Sequence, residues 1–302
     1  AGHTKYNAVE GITETKQAII NKLKKDHGLN YELNHIVISN GAKHSLFNLF
    51  QVLIEEGDEV IIPAPYWVTY PEQVKYSDGV PVFIDTDDST NFKITPEQLK
   101  AAITPKTKIL LLNSPSNPTG GIYCKEELTA LGKVLEGTDI LVFSDEMYEK
   151  IIYDGKKFTA AAEVSEDMFQ RTVTINGLSK AVAMTGWRFG YIATPKVELV
   201  KAMIKLQGQV TSNINSITQH ASILALEGKA DEAIETMRVE FEKRRNVAIT
   251  QLNYIKGISC VKPEGAFYLF ANIKELTNDS IKFCSELLEK EGVAVVPGLA
   301  FG

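Results

Sequence analysis

Thr172-Val173-Thr174-Ile175-Asn176-Gly177-Leu178-Ser179-Lys180 opens as a strand and ends on a lysine, and Arg188-Phe189-Gly190 then leads into a second apolar run, Phe189 to Ala193. Apolar and β-branched residues stop at Asn-Gly, so the lysine falls just past the end of a strand. Upstream the pattern repeats. His35 to Ser39, Glu59 to Ile62, Val80 to Asp85, Thr107 to Asn113 and Ile140 to Ser144 are also short, largely apolar runs separated by helical periodicity. With the opening pair they make seven strands. Ala42 to Glu55 and Lys125 to Leu135 predict helices between them, and Thr95-Pro96-Glu97-Gln98 joins a capping box to a Pro at the first helical position. Strands alternating with helices predict an α/β domain with a mainly parallel seven-stranded sheet flanked by helices, over residues 1–229. From about Ala230 the pattern changes to one long charged helix, Asp231 to Leu252. A strand over Gly265 to Ala271, a helix over Ser280 to Lys290 and a strand over Val293 to Val296 follow, and predict part of a smaller α+β domain over 230–302.

The chain has 302 residues, 44% hydrophobic and 23% charged, which is globular composition. Thirty-two basic against thirty-eight acidic side chains give a net charge of −6, which argues against nucleic acid as a partner. Lys22, Lys24 and Lys25 are read as a solvated helix face. The three cysteines, Cys124, Cys260 and Cys284, are too scattered for a disulfide framework or a metal site and suit the cytoplasm. No apolar stretch reaches the roughly 18 residues of a membrane span. The chain opens at Ala1 without an initiator Met and stops at Gly302, so it is expected to be a fragment of a longer protein.

Four segments carry chemistry. Ser39-Asn40-Gly41-Ala42-Lys43 puts a glycine between strand and helix, either as a plain turn or as a seat for an anion on helix N–H groups. Asn113-Ser114-Pro115-Ser116-Asn117-Pro118-Thr119-Gly120 follows the most apolar strand and is too polar for a simple connection. Ser144-Asp145-Glu146-Met147-Tyr148 sets a carboxylate at a strand end, either as a helix cap or as a functional group, with a phenol three residues on. Lys180 completes the set: a lysine able to meet Asp145, Asn117 and a phosphate-type loop at one sheet edge invites a Schiff-base role.

Together with Pro65-Tyr66-Trp67, Gly186-Trp187-Arg188, Gly265-Ala266-Phe267-Tyr268 and Val296-Pro297-Gly298, these motifs resemble the pyridoxal-phosphate aminotransferases of fold type I, class I, and within them the bacterial aspartate aminotransferase subgroup. The resemblance runs from Lys5-Tyr6 to Gly302. It implies an enzyme that exchanges the amino group of an amino acid, aspartate foremost, with 2-oxoglutarate by a ping-pong mechanism. Lys180 is implied as the Schiff-base lysine and proton carrier, and Asp145 as partner of the pyridine nitrogen. Asn117 and Tyr148 would bond the 3′-oxygen and Trp67 would stack on the ring, with Trp67 and Asn117 also bordering the substrate. Gly41, Ala42, Lys43, Ser179 and Arg188 would hold the phosphate, with Tyr6 reaching in from the neighbouring subunit of a homodimer.

Two departures are visible. Many relatives carry a phosphate-binding hydroxyl three residues before the lysine, where this chain has Gly177. Relatives also have an N-terminal arm with a substrate-contacting glycine, and a later arginine for the α-carboxylate; neither is in these 302 residues. The alternatives are an aromatic or prephenate aminotransferase, a carbon–sulfur lyase of the same fold, or a non-catalytic module that binds the cofactor as an effector.

Overall fold

A computed structural model describes residues 2–302. All seven runs form strands of one sheet: β1 (Ile36–Ser39), β2 (Glu59–Ala64), β3 (Val80–Asp85), β4 (Thr107–Asn113), β5 (Leu141–Asp145), β6 (Thr172–Gly177) and β7 (Gly190–Ala193). Their order is β1-β7-β6-β5-β4-β2-β3, parallel except that β7 runs antiparallel to both of its neighbours. The helices are α1 (Thr13–His27), α2 (Ala42–Leu53), α3 (Thr69–Tyr76), α4 (Pro96–Ala102), α5 (Lys125–Leu135), α6 (Glu166–Arg171), α7 (Val197–Val210), α8 (Ser216–Leu226), α9 (Asp231–Tyr254) and α10 (Ser280–Glu291).

β4 shows why the centre of the sheet reads as unbroken apolar sequence. Successive side chains point to opposite faces. Ile109 and Leu111 join a core with Leu46, Leu49 and Phe50 of α2, and Leu110 and Leu112 join another with Leu128, Leu131 and Leu135 of α5. A strand covered by helices on both faces has no polar side to show. The capping box of α4 forms as expected: Thr95 Oγ1 accepts the Gln98 N–H at 3.2 Å, and Gln98 Oε1 accepts the Thr95 N–H at 2.9 Å. Among the described residues, no helix is long and apolar enough to cross a membrane.

Two strand expectations fail. Gly265 to Ala271 is not one strand: Gly265 makes a single bridge to Ile152, and only Ala271–Asn272 pair, as β9, with β8 (Ser259–Cys260). Ala266 takes a positive φ of 55°, which breaks the extended run and turns the chain toward the sheet. Val293 to Val296 is apolar enough for a strand, but among the described residues no strand lies beside it to complete a ladder.

Behind the carboxyl end of β5, α1 is tied to the sheet by a buried ionic cluster. Lys22 pairs with Glu149. His27 lies between Glu149 Oε2 at 3.0 Å and Glu163 Oε2 at 3.4 Å, and Lys150 holds Asp26 at 2.7 Å. Burial alone would lower the His27 pKa, but hydrogen bonds to Glu149 and Glu163 raise it to about 9. Burial would likewise raise Glu149, yet Lys22 and His27 hold it well below the usual carboxylate range. A folded-state pKa above the unfolded value means that His27 contributes stability in full below about 6.5, lost as pH rises through about 9. In urea unfolding, His27→Gln is therefore expected to be less stable than wild type at pH 6 by roughly 3 kcal/mol at most. That gap closes by about pH 10, and a gap independent of pH would contradict the assignment.

Candidate active site

The carboxyl ends of β4, β5 and β6 and the N-terminus of α2 enclose a cleft of about 390 Å³. Of the residues singled out in the sequence, Ala42, Lys43, Trp67, Asn117, Asp145, Tyr148, Ser179, Lys180 and Arg188 line it. Gly41 adjoins it as the N-cap of α2. Tyr6 does not line it, and its side chain is 90% exposed. The sequence reading gave no role to Tyr70, Met147, Thr185 or Tyr268, which also line the cleft.

Asp145 is the last residue of β5 and is buried. Its Oδ2 accepts a hydrogen bond from the Tyr70 hydroxyl at 2.7 Å, and its Oδ1 accepts the Met147 N–H at 3.2 Å. No helix follows it, so it is not a helix cap. Burial raises its pKa, with the two hydrogen bonds opposing, and no cation pairs with it among the described residues. Lys180 faces the same cleft with its pKa lowered, first by burial and then by the Arg188 charge. An acid pushed up and a base pushed down in one cavity are a mark of chemistry. Trp67 and Tyr70 sit one helical turn apart and meet edge to face with centroids 5.4 Å apart.

The far end of the cleft is shaped for an anion. Gly41, at φ 87°, donates its N–H to the Ser39 carbonyl at 2.7 Å. The N–H groups of Ala42 and Lys43, at the first two positions of a twelve-residue helix, have no intrahelical acceptor. A Cβ on Gly41 would lie 2.3 Å from Arg188 Nη2, so the glycine leaves room for the guanidinium beside the helix N-terminus. A Cβ on Gly190 would lie 2.3 Å from the Ala42 nitrogen, so β7 admits that N-terminus only as glycine. Arg188 is fixed by donating to the Thr185 carbonyl at 2.9 Å and the Asn40 carbonyl at 3.3 Å, and no carboxylate pairs with it among the described residues. Gly177 has a steric reason too: a Cβ there would sit 2.5 Å from the Phe189 carbonyl oxygen. No hydroxyl can come from that position, and the aliphatic hydroxyls lining the cleft are those of Ser179 and Thr185.

Residues 2–302 match the family model of aminotransferase class I and II. The chain belongs to this family. The aspartate aminotransferase of Geobacillus stearothermophilus is 51% identical over 306 residues, covering 100% of this chain and 77% of the relative. The aspartate/prephenate aminotransferase of Cereibacter sphaeroides is 46% identical over 314 residues, covering 100% and 78%. The crystal structure of the Rhizobium meliloti aspartate aminotransferase superimposes with a TM-score of 0.96 at 44% identity, covering 100% of this chain and 78% of the other. An aminotransferase of this class depends on pyridoxal 5′-phosphate. The cleft fits that group at both ends. Unpaired N–H groups and a guanidinium without a carboxylate partner suit its phosphate, and a buried carboxylate lacking a countercharge suits its protonated ring nitrogen.

Proposed function

We propose that this aminotransferase exchanges the amino group of L-aspartate with 2-oxoglutarate in two half-reactions at this cleft. The observation that carries the reading is Lys180, its pKa lowered, facing the same cavity as the buried Asp145. When bound, the cofactor supplies an electron-withdrawing ring that takes up the electrons released at the substrate Cα. Asp145 holds the countercharge for the ring nitrogen. The Ala42 and Lys43 N–H groups, Ser179 and Arg188 hold the phosphate beside Gly41, while Trp67 covers a ring face and borders the substrate. Lys180 Nζ, its neutral form favoured by burial and by the Arg188 charge, accepts the Cα proton. Tyr148 and Asn117 present hydrogen-bond donors to the ring oxygen.

Substrate choice rests on Lys43. Its Nζ lies 4.8 Å over the centroid of the Trp67 ring at the cleft, and among the described residues it has no acidic partner. A free ammonium beside the ring-covering indole suits a second carboxylate. Lys43→Met is expected to lower kcat/KM for aspartate roughly 10- to 100-fold, the loss of one hydrogen bond to a charged group, and to spare phenylalanine. Equal losses on both substrates would favour the aromatic or prephenate reading, which the Cereibacter sphaeroides relative also supports.

Tyr6 has no place in its own cleft, and we assign it to the phosphate of the partner subunit in a homodimer. The free thiols Cys124, Cys260 and Cys284 support a reducing, cytoplasmic setting. Mixed dimers of Tyr6→Phe and Lys180→Ala chains test the shared site, because one of their two sites would then have both residues intact.

A further inference from the structure

Tyr268 comes from the far side of the chain and ends between two side chains of the cleft. Its hydroxyl lies 2.5 Å from that of Tyr148 and accepts a hydrogen bond from Asn117 Nδ2 at 3.4 Å. Its placement is fixed by the backbone just before it. The Glu264 and Gly265 N–H groups donate to the Gly120 carbonyl at 3.0 and 2.9 Å, the Ala266 N–H donates to the Ile151 carbonyl at 2.9 Å, and the Tyr153 N–H donates to the Glu264 carbonyl at 2.9 Å. Gly120 permits this docking, since a Cβ there would lie 2.5 Å from the Gly265 oxygen. These bonds join the segment to the two loops that carry Asn117 and Tyr148.

Only the Asn117 end of this chain of hydrogen bonds has a fixed role, as a donor. An amide nitrogen only donates, so the Tyr268 oxygen accepts from Asn117, while between the two phenols either hydroxyl is able to donate. With Tyr268 as the donor of that pair, the Tyr148 proton points away from it. We propose that Tyr268 is a positioning residue: it relays the donation of Asn117 to Tyr148 and so aims the Tyr148 hydroxyl proton into the cleft, at an anionic oxygen on the bound ring. Each link polarises the next and strengthens the final donor. The inference rests on the cleft being the cofactor seat described above.

The test is a pH titration of the visible absorption band of the cofactor-loaded protein. Asp145, Lys180, Lys43 and Arg188, the charged groups lining the cleft, and Tyr70, bonded to Asp145, stay unchanged in every variant. A donor aimed at the ring oxygen favours the deprotonated chromophore. Tyr268→Phe, which removes one hydroxyl, is therefore expected to raise the midpoint by roughly half a unit to one unit. In a Tyr148→Phe background the same substitution should leave the midpoint where it is, because the relay has lost its last member. An unmoved midpoint in Tyr268→Phe, or an equal rise in both backgrounds, overturns the relay while leaving the cofactor seat intact. Absence of any visible band in the wild type overturns both.

Discussion

Lys180→Ala is expected to lower transamination by roughly four orders of magnitude, the upper range for removing a positioned proton-transfer group. The loss is large because in the proposed reaction one nitrogen serves two purposes: it attaches to the cofactor and it carries the substrate Cα proton. Both need the neutral amine, which burial and the Arg188 charge favour here. Lys180→Arg separates charge from basicity. It keeps a cation at the position, but a guanidinium does not lose its proton, so this variant should be as inactive as the alanine one. Borohydride treatment of the loaded wild type should fix the label on the Lys180 peptide. Label on another lysine, or an arginine variant that retains activity, would show that a different residue carries the proton.

The sheet was legible because its central strands are covered on both faces, and continuous apolar runs such as Thr107 to Asn113 cannot hide. The cleft was legible where a motif sits at a strand end, as at Asp145 and Lys180, since parallel sheets bring such ends to one edge. Partners arriving from elsewhere were not. Tyr70 lies 75 residues before Asp145 and reads locally as one more aromatic on an amphipathic turn. Its spacing of three from Trp67 was the available signal. Tyr268 lies 151 residues from Asn117 and belongs to a segment that reads as a plain strand until Ala266 takes its positive φ. Thr185 could have been weighed with Ser179 once Gly177 ruled out the usual hydroxyl, but only the approach of Phe189 shows that Gly177 is fixed by packing.

Asp145→Asn is expected to separate activity from stability. The amide keeps the shape of the carboxylate and an oxygen to accept the Met147 N–H or the Tyr70 hydroxyl, but it cannot supply a charge. Losing a preorganised charge at the ring nitrogen should cost about 10²- to 10³-fold in turnover. Cofactor affinity should fall much less, because the proposed phosphate seat is at the other end of the cleft, at the α2 N-terminus and Arg188. Folding stability should move the other way. The carboxyl is buried, its pKa is raised, and no cation offsets it in the free protein, so the ionised form opposes folding near neutral pH. A group whose folded pKa lies above its unfolded value contributes in full below the unfolded pKa and loses that contribution as pH rises through the folded one. At pH 7 the amide should therefore melt at the same temperature as the wild-type apoprotein or higher, and at pH 4 that advantage should shrink. Adding the cofactor should reverse the order, because only the carboxylate gains a countercharge from the ring nitrogen. Melting curves of both proteins, free and loaded, would contradict this role if the asparagine variant were the less stable one without cofactor or gained as much from it as the wild type.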